Sequence, residues 1–185
     1  MQAQSERGCA SALQIRAFLV GQGFGACDSD GDIAAFRALA QRLLPVEVAP
    51  LATLKAVQAR TGHSLFLRET DDAAGFIAFF ALSPRGERAL VARAPLEPDW
   101  AEPFGAASRS GYVWGLGGDT RRAQFAVLRA LAGMRKRFFA HVGLYARATS
   151  SGGERAMKGF GYATPIDAAT GLYYAPPLKA LAAAS

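Results

Sequence analysis

The chain has 185 residues, 51% of them hydrophobic and 19% charged, which excludes an intrinsically disordered chain and is enough for one packed core. A net charge of +6 favours anionic ligands, but the 21 lysines and arginines are dispersed and form no basic block of the kind that binds nucleic acid. The longest apolar run, residues 75–82, is far shorter than the ~20 residues that a membrane helix needs. The 2 cysteines have no metal-binding spacing, and no signal-peptide pattern is present. These features predict a soluble, cytoplasmic protein without a metal site.

The length predicts a single domain. Residues 1–24 are expected to form an N-terminal tail with one short element, and residues 176–185 a frayed C-terminal tail. The short element, residues 13–20, is apolar and is compatible with either a strand or a helix.

Two helices are predicted next. Ser29, followed three residues later by Asp32, resembles a capping box, and the amphipathic pattern behind it stops before Pro45. A second amphipathic helix is predicted over residues 50–60. His63 follows it and is interpreted as a loop-end residue, because no Asp, Ser or Cys lies near it in a familiar catalytic motif.

The middle of the chain predicts strands. Residues 64–68 alternate as a strand does, and residues 76–82 are apolar on both faces, which indicates a central strand covered on both sides. A turn at 83–86 and a further short strand at 89–92 are expected. Residues 93–111 show no periodicity, and a loop of this length in a compact domain is usually functional or mobile.

The third part of the chain predicts strand, helix, strand, helix. A strand at 112–114 leads through a glycine turn into a helix whose apolar residues recur at helical spacing (Phe125, Leu128, Leu131, Ala132 and Phe138). A strand follows at 142–148, and Ser151 with Glu154 resembles a capping box that opens a short helix. Two short strands, at 163–166 and 172–174, finish the order. This order predicts a mixed α/β fold, a central sheet flanked by helices.

The strand–turn–helix at residues 112–126 is the strongest candidate site. Such a connection directs backbone N–H groups and a helix N-terminus towards one point, where an anion binds well. Arg121 and Arg122 fall in the first helical turn, where the helix dipole disfavours each cation by roughly 0.3–1 kcal/mol. A bound polyanion would make the electrostatic energy of the two arginines at this position favourable instead of unfavourable. The alternative is an ordinary strand-to-helix connection with two solvated arginines.

The same stretch resembles the pyrophosphate motif V-x-P-x-x-R-x-x-G-x-(G/A) of the GNAT acyltransferase superfamily. Leu116 takes the strand-end position, Gly118 the proline, Arg121 the arginine, Gln124 the first glycine and Ala126 the final small residue. Gln124 is the main departure from the motif, because glycine at that position lets the backbone approach phosphate closely.

A second stretch resembles the closing helix of the family, N-x-x-A-x-x-L-Y-x-x-x-G-F. Counting back from Gly161-Tyr162, which stand for G-F, places Met157 at the tyrosine, Gly153 at the alanine and Ser150 at the asparagine. The resemblance covers residues 25–175 and implies a GNAT-like mixed, mostly antiparallel sheet.

The resemblance implies acetyl-CoA, or another acyl-CoA, as the bound group. The residues expected to contact it are Leu116, Gly118, Arg121, Arg122, Ala123, Gln124, Phe125, Ala126, Ser150 and Met157. The family transfers the acyl group to an amine, here a small molecule or a protein, and the backbone N–H near Leu116 is expected to bind the thioester carbonyl.

The positions that hold the acid and the base in the family hold neither here, because Met157 cannot donate a proton and residues 112–118 contain no carboxylate. Tyr112, Tyr145 and Tyr162 are the alternative acids, and Tyr112 and Tyr162 are taken as catalytic candidates with Leu116. The alternative carboxylates are Asp99, Glu102 and Asp119.

For the acceptor, the 93–111 loop carries Asp99, Trp100 and Glu102, an acidic and aromatic set that would attract a cationic amine. Trp114 is expected either to line the pocket for the acyl group or the acceptor amine, or to pack in the core. The alternative for the loop is a cover over a sheet edge, anchored by Trp100 and Phe104.

The sequence therefore predicts an acyl-CoA-dependent N-acyltransferase, with no nucleic-acid or membrane partner. Two alternatives stay open: a catalytically silent CoA-binding protein of the same fold, and a basic domain associated with RNA or DNA. The oligomeric state is open, a dimer being one alternative.

Overall fold

A computed structural model describes residues 12–105, 108–162 and 164–178. An eight-stranded, mostly antiparallel sheet forms the centre with helices on both faces, which confirms the predicted mixed α/β class. The strands are β1 (Gly25–Ala26), β2 (Leu65–Thr70), β3 (Ala73–Leu82), β4 (Ala101–Glu102), β5 (Ser110–Gly118), β6 (Gly143–Arg147), β7 (Thr164–Asp167) and β8 (Leu172–Ala175). The helices are α1 (Ala12–Gly21), α2 (Asp30–Leu43), α3 (Leu51–Thr61), α4 (Pro84–Val91), α5 (Arg121–Arg137) and α6 (Ser151–Gly159). No helix among the described residues is long and apolar enough to cross a membrane.

The strands lie in the order β1-β2-β3-β5-β6-β8-β7, and β4 pairs with the far end of β3. Of the strand pairs in the described ranges, only β5 with β6 is parallel. Helix α5 connects these two strands, as parallel neighbours require a crossover.

Strand β3 lies at the centre because its two faces are both apolar. Successive side chains point to opposite faces of a strand. Ile77 and Phe79 pack with α1 and α5, whereas Phe76 packs with α2 and α3, and Phe80 packs with α4 and its following turn. The doubly covered central strand predicted at 76–82 is confirmed.

The N-terminal apolar segment is the helix α1, which decides between the two alternatives for residues 13–20. Ile15 and Leu19 are fully buried in the same core as α5, and the Phe18 ring meets that of Phe138 edge to face at 5.5 Å. Residues 12–21 therefore share the core of the central sheet. The rest of the predicted tail, residues 1–11, lies outside the described residues, as do 179–185.

The helix predicted behind Ser29 is α2, and its capping box is confirmed. The Ser29 backbone N–H donates to Asp32 Oδ2 at 3.0 Å, and the Asp32 N–H donates to Ser29 Oγ at 3.1 Å. Helix α3 confirms the helix predicted at 50–60 and ends at Gly62, which has a left-handed backbone.

The turn at 83–86 and the strand at 89–92 are wrong, because residues 84–91 form the helix α4. Its start is well specified: Ser83 Oγ accepts the Gly86 N–H at 2.9 Å, and Pro84 occupies the first helical position. Leu90 is buried beneath it. Ser, Pro and Gly favour both a turn and a helix start, so the local sequence does not distinguish the two.

Two further corrections concern helix ends. Ser150, not Ser151, caps α6, since Ser150 Oγ accepts the Gly153 N–H at 3.1 Å. Phe125 does not lie on the buried face of α5 and is 66% exposed, because Ala123, Ala126 and Val127 take the sheet-facing positions there.

His63 is a buried loop-end residue. It has no solvent exposure, its Nδ1 is 2.6 Å from the Thr61 carbonyl, and the rings of Phe79 and Phe104 lie 6.0 and 5.8 Å from its centre. Its Nε2 has no hydrogen-bond partner among the described residues. Burial lowers the pKa of His63, and the positive charge of Arg16 acts in the same direction.

The protein should therefore lose stability as the pH falls. The pKa of His63 is lower in the folded than in the unfolded state, so the unfolded state binds the proton more tightly; the stability is full above the unfolded pKa near 6.5 and is lost below it. We expect the free energy of unfolding, measured by urea denaturation, to fall between pH 7 and 5 by at most about 2 kcal/mol through this residue. The loss of unfolding free energy over this pH range should be smaller in His63→Asn than in the unmodified protein. In His141→Asn, the exposed control, the loss should equal that of the unmodified protein. Equal pH dependence in all three proteins would contradict this account.

Candidate active site

Strands β5 and β6 pair in parallel over residues 110–113 and 143–146 and then separate. Strand β5 stays on β3 as far as Gly118. Strand β6 instead stays on β8, and beyond its end the Ala148 N–H donates to the Gly171 carbonyl at 2.9 Å. The gap that begins beyond the paired residues is called here the β5–β6 opening.

The Leu116 N–H faces this opening. The Asp119 N–H donates to the Ala74 carbonyl at 3.0 Å, so Asp119 belongs to a hydrogen-bonded pair with β3. In an antiparallel pair such residues alternate with residues whose N–H and C=O point the other way. Leu116 and Gly118 are of the second kind, and their backbone groups therefore point towards β6. The donor predicted at Leu116 is thus directed at the gap.

Gly118 permits the tight connection from β5 to α5. A Cβ atom at this residue would lie 2.5 Å from the Gln124 nitrogen and 2.7 Å from the Ala123 carbonyl carbon. The first turn of α5 therefore packs directly against the end of β5. Thr120 caps the helix, its Oγ1 accepting the Ala123 N–H at 3.2 Å.

Gln124, the departure from the pyrophosphate motif, folds back on this connection. Its Nε2 donates to the Gly118 carbonyl at 3.1 Å. The side chain thereby satisfies a carbonyl that faces the opening. An amide there also gives the helix start a polar contact that a glycine would lack.

Arg121 and Arg122 are exposed in the first turn of α5, which contains no acidic residue. Neither has an ion-pair partner in the described part of the chain. Two cations without an ion-pair partner at the positive end of a helix dipole favour a polyanionic ligand at this point.

Helix α6 begins at the same edge of the sheet. Because β5 and β6 are parallel, the helices that follow them start at the same end, and the N-cap Ser150 comes three residues after β6 ends at Arg147. A crevice outside the carboxyl ends of parallel strands is where ligands bind in sheets of this kind. The structure thus brings the predicted residues Leu116, Gly118, Arg121, Arg122, Gln124 and Ser150 to one edge.

Several predicted contact residues are turned inward. Ala123 and Ala126 are 1% and 8% exposed on the sheet-facing side of α5, so only their backbone is available to a ligand. Met157 packs half-buried against the core around α5. Trp114 is half-buried and stacks on Phe36, with ring centres 6.2 Å apart, which is the core alternative for that residue.

The two candidate tyrosines lie in different places. Tyr112 is buried on the paired part of β5 just before the opening, and burial raises the pKa of its hydroxyl. Tyr162 is fully buried beside Arg135, whose guanidinium lies 5.6 Å from its ring centre. Arg135 is fourteen residues along α5 from Arg121, about 21 Å at 1.5 Å per residue. Tyr162 is therefore remote from the helix start.

The acidic and aromatic residues predicted to bind the acceptor in the 93–111 loop make contacts within the protein instead. Trp100 is 3% exposed under α4, and Phe104 stacks on Phe139 with ring centres 4.2 Å apart. Asp99 forms an ion pair with Arg85. Glu102 lies on β4, paired with Ala81 at the end of β3. The contacts of Trp100 and Phe104 match the alternative of a cover over the sheet edge.

Asp119, the third alternative carboxylate, holds the end of the sheet together. Its Oδ1 accepts the Ala74 N–H at 2.8 Å, and Arg42 lies 3.7 Å from its Oδ2.

Two charged residues near the opening were missed. Glu87, on α4, accepts a hydrogen bond from the Tyr145 hydroxyl at 2.9 Å. Arg147, the last residue of β6, has a buried Nε without a hydrogen-bond partner in the described ranges. Recognition of the Ser83 cap would have revealed the helix that carries Glu87, whereas no local signal indicates Arg147.

Comparison of the chain with protein-family models, with curated proteins and with solved structures gives no match.

Gly118→Ala tests the tight connection. We expect this substitution to lower the free energy of unfolding by roughly 1–3 kcal/mol, because the added methyl group must displace the backbone of α5. Gly159→Ala is the matched control, since a Cβ there meets nothing within 4 Å and alanine favours a helix. Urea denaturation of both variants checks this, and equal stability of the two would refute the close contact.

Proposed function

We propose that this protein is an acyl-CoA-dependent N-acyltransferase of GNAT type that transfers an acyl group, with acetyl-CoA as the first candidate donor, to an amine. The observation that carries the proposal is the β5–β6 opening, into which the Leu116 N–H points beside the start of α5. The strand–turn–helix motif and the closing-helix motif both contribute to this one edge, which supports the family resemblance.

The residues present fit a CoA pyrophosphate at the start of α5. The positive end of the helix dipole and the side chains of Arg121 and Arg122 favour negative charge. The contact of Ala123 with Gly118 keeps the helix start close to the strand end. Ser150 caps the start of a second helix, whose positive dipole end lies at the same edge of the sheet.

Acyl-CoA would supply the activated acyl group as a thioester. In the transfer, the amine nitrogen forms a bond to the acyl carbon, the carbon–sulfur bond breaks and the thiolate leaves, while the proton lost by the amine passes to a base. The Leu116 N–H can donate to the acyl oxygen, where negative charge develops. Positioning of the two reactants by the opening is the larger contribution expected from the chain.

A CoA-binding protein without catalytic activity is the second candidate. It is favoured by Met157, which cannot donate a proton, and by the position of Tyr162 near the far end of α5. Both candidates require CoA binding, and only the first requires release of thiol when an amine is added.

The cofactor assignment is tested with Arg121→Gln/Arg122→Gln. We expect the dissociation constant of free CoA, measured by calorimetry, to rise about tenfold or more, because charge-assisted contacts to phosphate are lost. Pantetheine, which has no pyrophosphate, should be affected little. Arg129→Gln, an exposed arginine two turns along the same helix, is the control. Unchanged CoA affinity in the double variant would exclude this position for the pyrophosphate.

Catalysis is tested by thiol release from acetyl-CoA in the presence of a panel of amines. If the protein is an enzyme, Met157→Leu should change turnover little, because volume is nearly conserved and no acid is removed. A hundredfold loss, with CoA affinity and melting temperature unchanged, would show a role for Met157 that the proposal omits. CoA binding without amine-dependent thiol release would favour the second candidate.

A further inference from the structure

Helix α4 has one buried side and one open side. Gly86 and Leu90 are buried, Leu90 in the cluster that contains Trp100. The opposite side lines a shallow surface trough, mostly open to solvent, whose lining residues are all on this helix or directly after it: Pro84, Glu87, Arg88, Val91 and Ala92. Glu87 is the carboxylate in this lining.

Glu87 joins the trough to strand β6. Its Oε1 accepts the Tyr145 hydroxyl at 2.9 Å, and the Tyr145 ring lies 4.8 Å from that of Tyr174 on β8. No lysine, arginine or histidine forms an ion pair with Glu87 within the residues that the structure describes. A carboxylate has about four acceptor positions, so one phenol leaves most of them open to an ammonium group.

Arg147 supplies the opposite charge on the same face of β6. It follows Tyr145 by two residues, so both side chains point to one face and their Cα atoms are separated by about 6.6 Å. Tyr112 is the register partner of Tyr145 on β5 and packs in the same cluster, so Tyr112, Tyr145 and Arg147 lie on one face of the sheet.

The Arg147 guanidinium lacks an anion. Its Nε is buried with no acceptor, and no carboxylate pairs with it in the described ranges. A buried guanidinium N–H without an acceptor is costly, which favours an anionic ligand here. Arg147 is also the residue at which β6 leaves β5, so this charge stands at the start of the β5–β6 opening.

We propose that Glu87 and Arg147 form a two-charge site for a free amino acid, with the ammonium group bound by Glu87 and the carboxylate bound by Arg147. The site lies on the α4 side of the β5–β6 opening. It rests on the proposed function in one respect: if the protein transfers an acyl group, the amino group held by Glu87 is the acceptor and Glu87 is the adjacent base.

The test is a binding screen that does not depend on catalysis. The probes are the twenty L-α-amino acids with β-alanine and γ-aminobutyrate, measured by melting temperature and then by calorimetry, with and without free CoA. We expect at least one to bind at least about tenfold more tightly than n-butylamine or butyrate, each of which carries only one of the two charges. Absence of binding by every amino acid, or equal affinity for the single-charge compounds, would overturn the proposal. This comparison uses the unmodified protein.

Variants then locate the site. Glu87→Gln and Arg147→Gln should each lower the affinity for the most tightly bound amino acid about tenfold or more. Glu69→Gln, at the far end of β2, should leave this affinity unchanged. CoA affinity should be the same in all of them. Unchanged amino-acid affinity in Glu87→Gln and Arg147→Gln would overturn the assignment. A loss of amino-acid affinity in Arg88→Gln, together with unchanged affinity in Arg147→Gln, would also overturn the assignment.

Failure of the proposed function gives a different result. If the chain does not bind CoA or transfer an acyl group, amino-acid binding is still expected in this screen and is still lost in the two site variants.

Discussion

The candidate site depends on one constraint: β5 cannot stay hydrogen-bonded to both β3 and β6 along its whole length. It is paired with β3 along nearly its whole length but with β6 only over residues 110–113. Strand β6 continues with β8, so the two halves of the sheet part where β5 and β6 separate. Backbone groups that would be used in an unbroken sheet, including the Leu116 N–H, are left directed at a gap. Since unpaired backbone groups are costly away from water, a gap of this kind favours a ligand that can bind them.

The glycines and small residues at the end of β5 support this arrangement. Gly118 lets α5 start almost in contact with the strand, and Ala123 and Ala126 let the helix lie close to the sheet. The close packing fixes the position of the helix start, so that the positive dipole end and the two exposed arginines meet the same edge. Gln124 fits this role through its hydrogen bond to the Gly118 carbonyl. A side chain at a position where the family motif has glycine is therefore accommodated by a specific contact.

The opposite face of the opening is covered differently. The segment between β3 and β5 was expected to present its acidic and aromatic residues to a ligand, but Trp100 and Phe104 are buried. Trp100 packs in the cluster that contains Leu90 of α4, whereas Phe104 packs in the cluster around α1 and α5. Helix α4, which packs on Trp100, carries Glu87. The position of Glu87 therefore depends on the burial of the loop that follows its helix.

The sequence by itself determined the mixed α/β class, the central apolar strand, the capped helix α2 and the strand–glycine–helix connection, because these follow from local rules of periodicity and capping. Its errors were also local: Ser83-Pro84 reads equally as a turn or a helix start, and Phe125 fits a helical spacing although it points to solvent. Only the tertiary structure decided which backbone groups face the opening, that Tyr162 is buried far from Arg121, and that Glu87 approaches Tyr145 across fifty-eight residues. Such relations come from strand register and from packing between distant segments, and a local pattern contains no information about either.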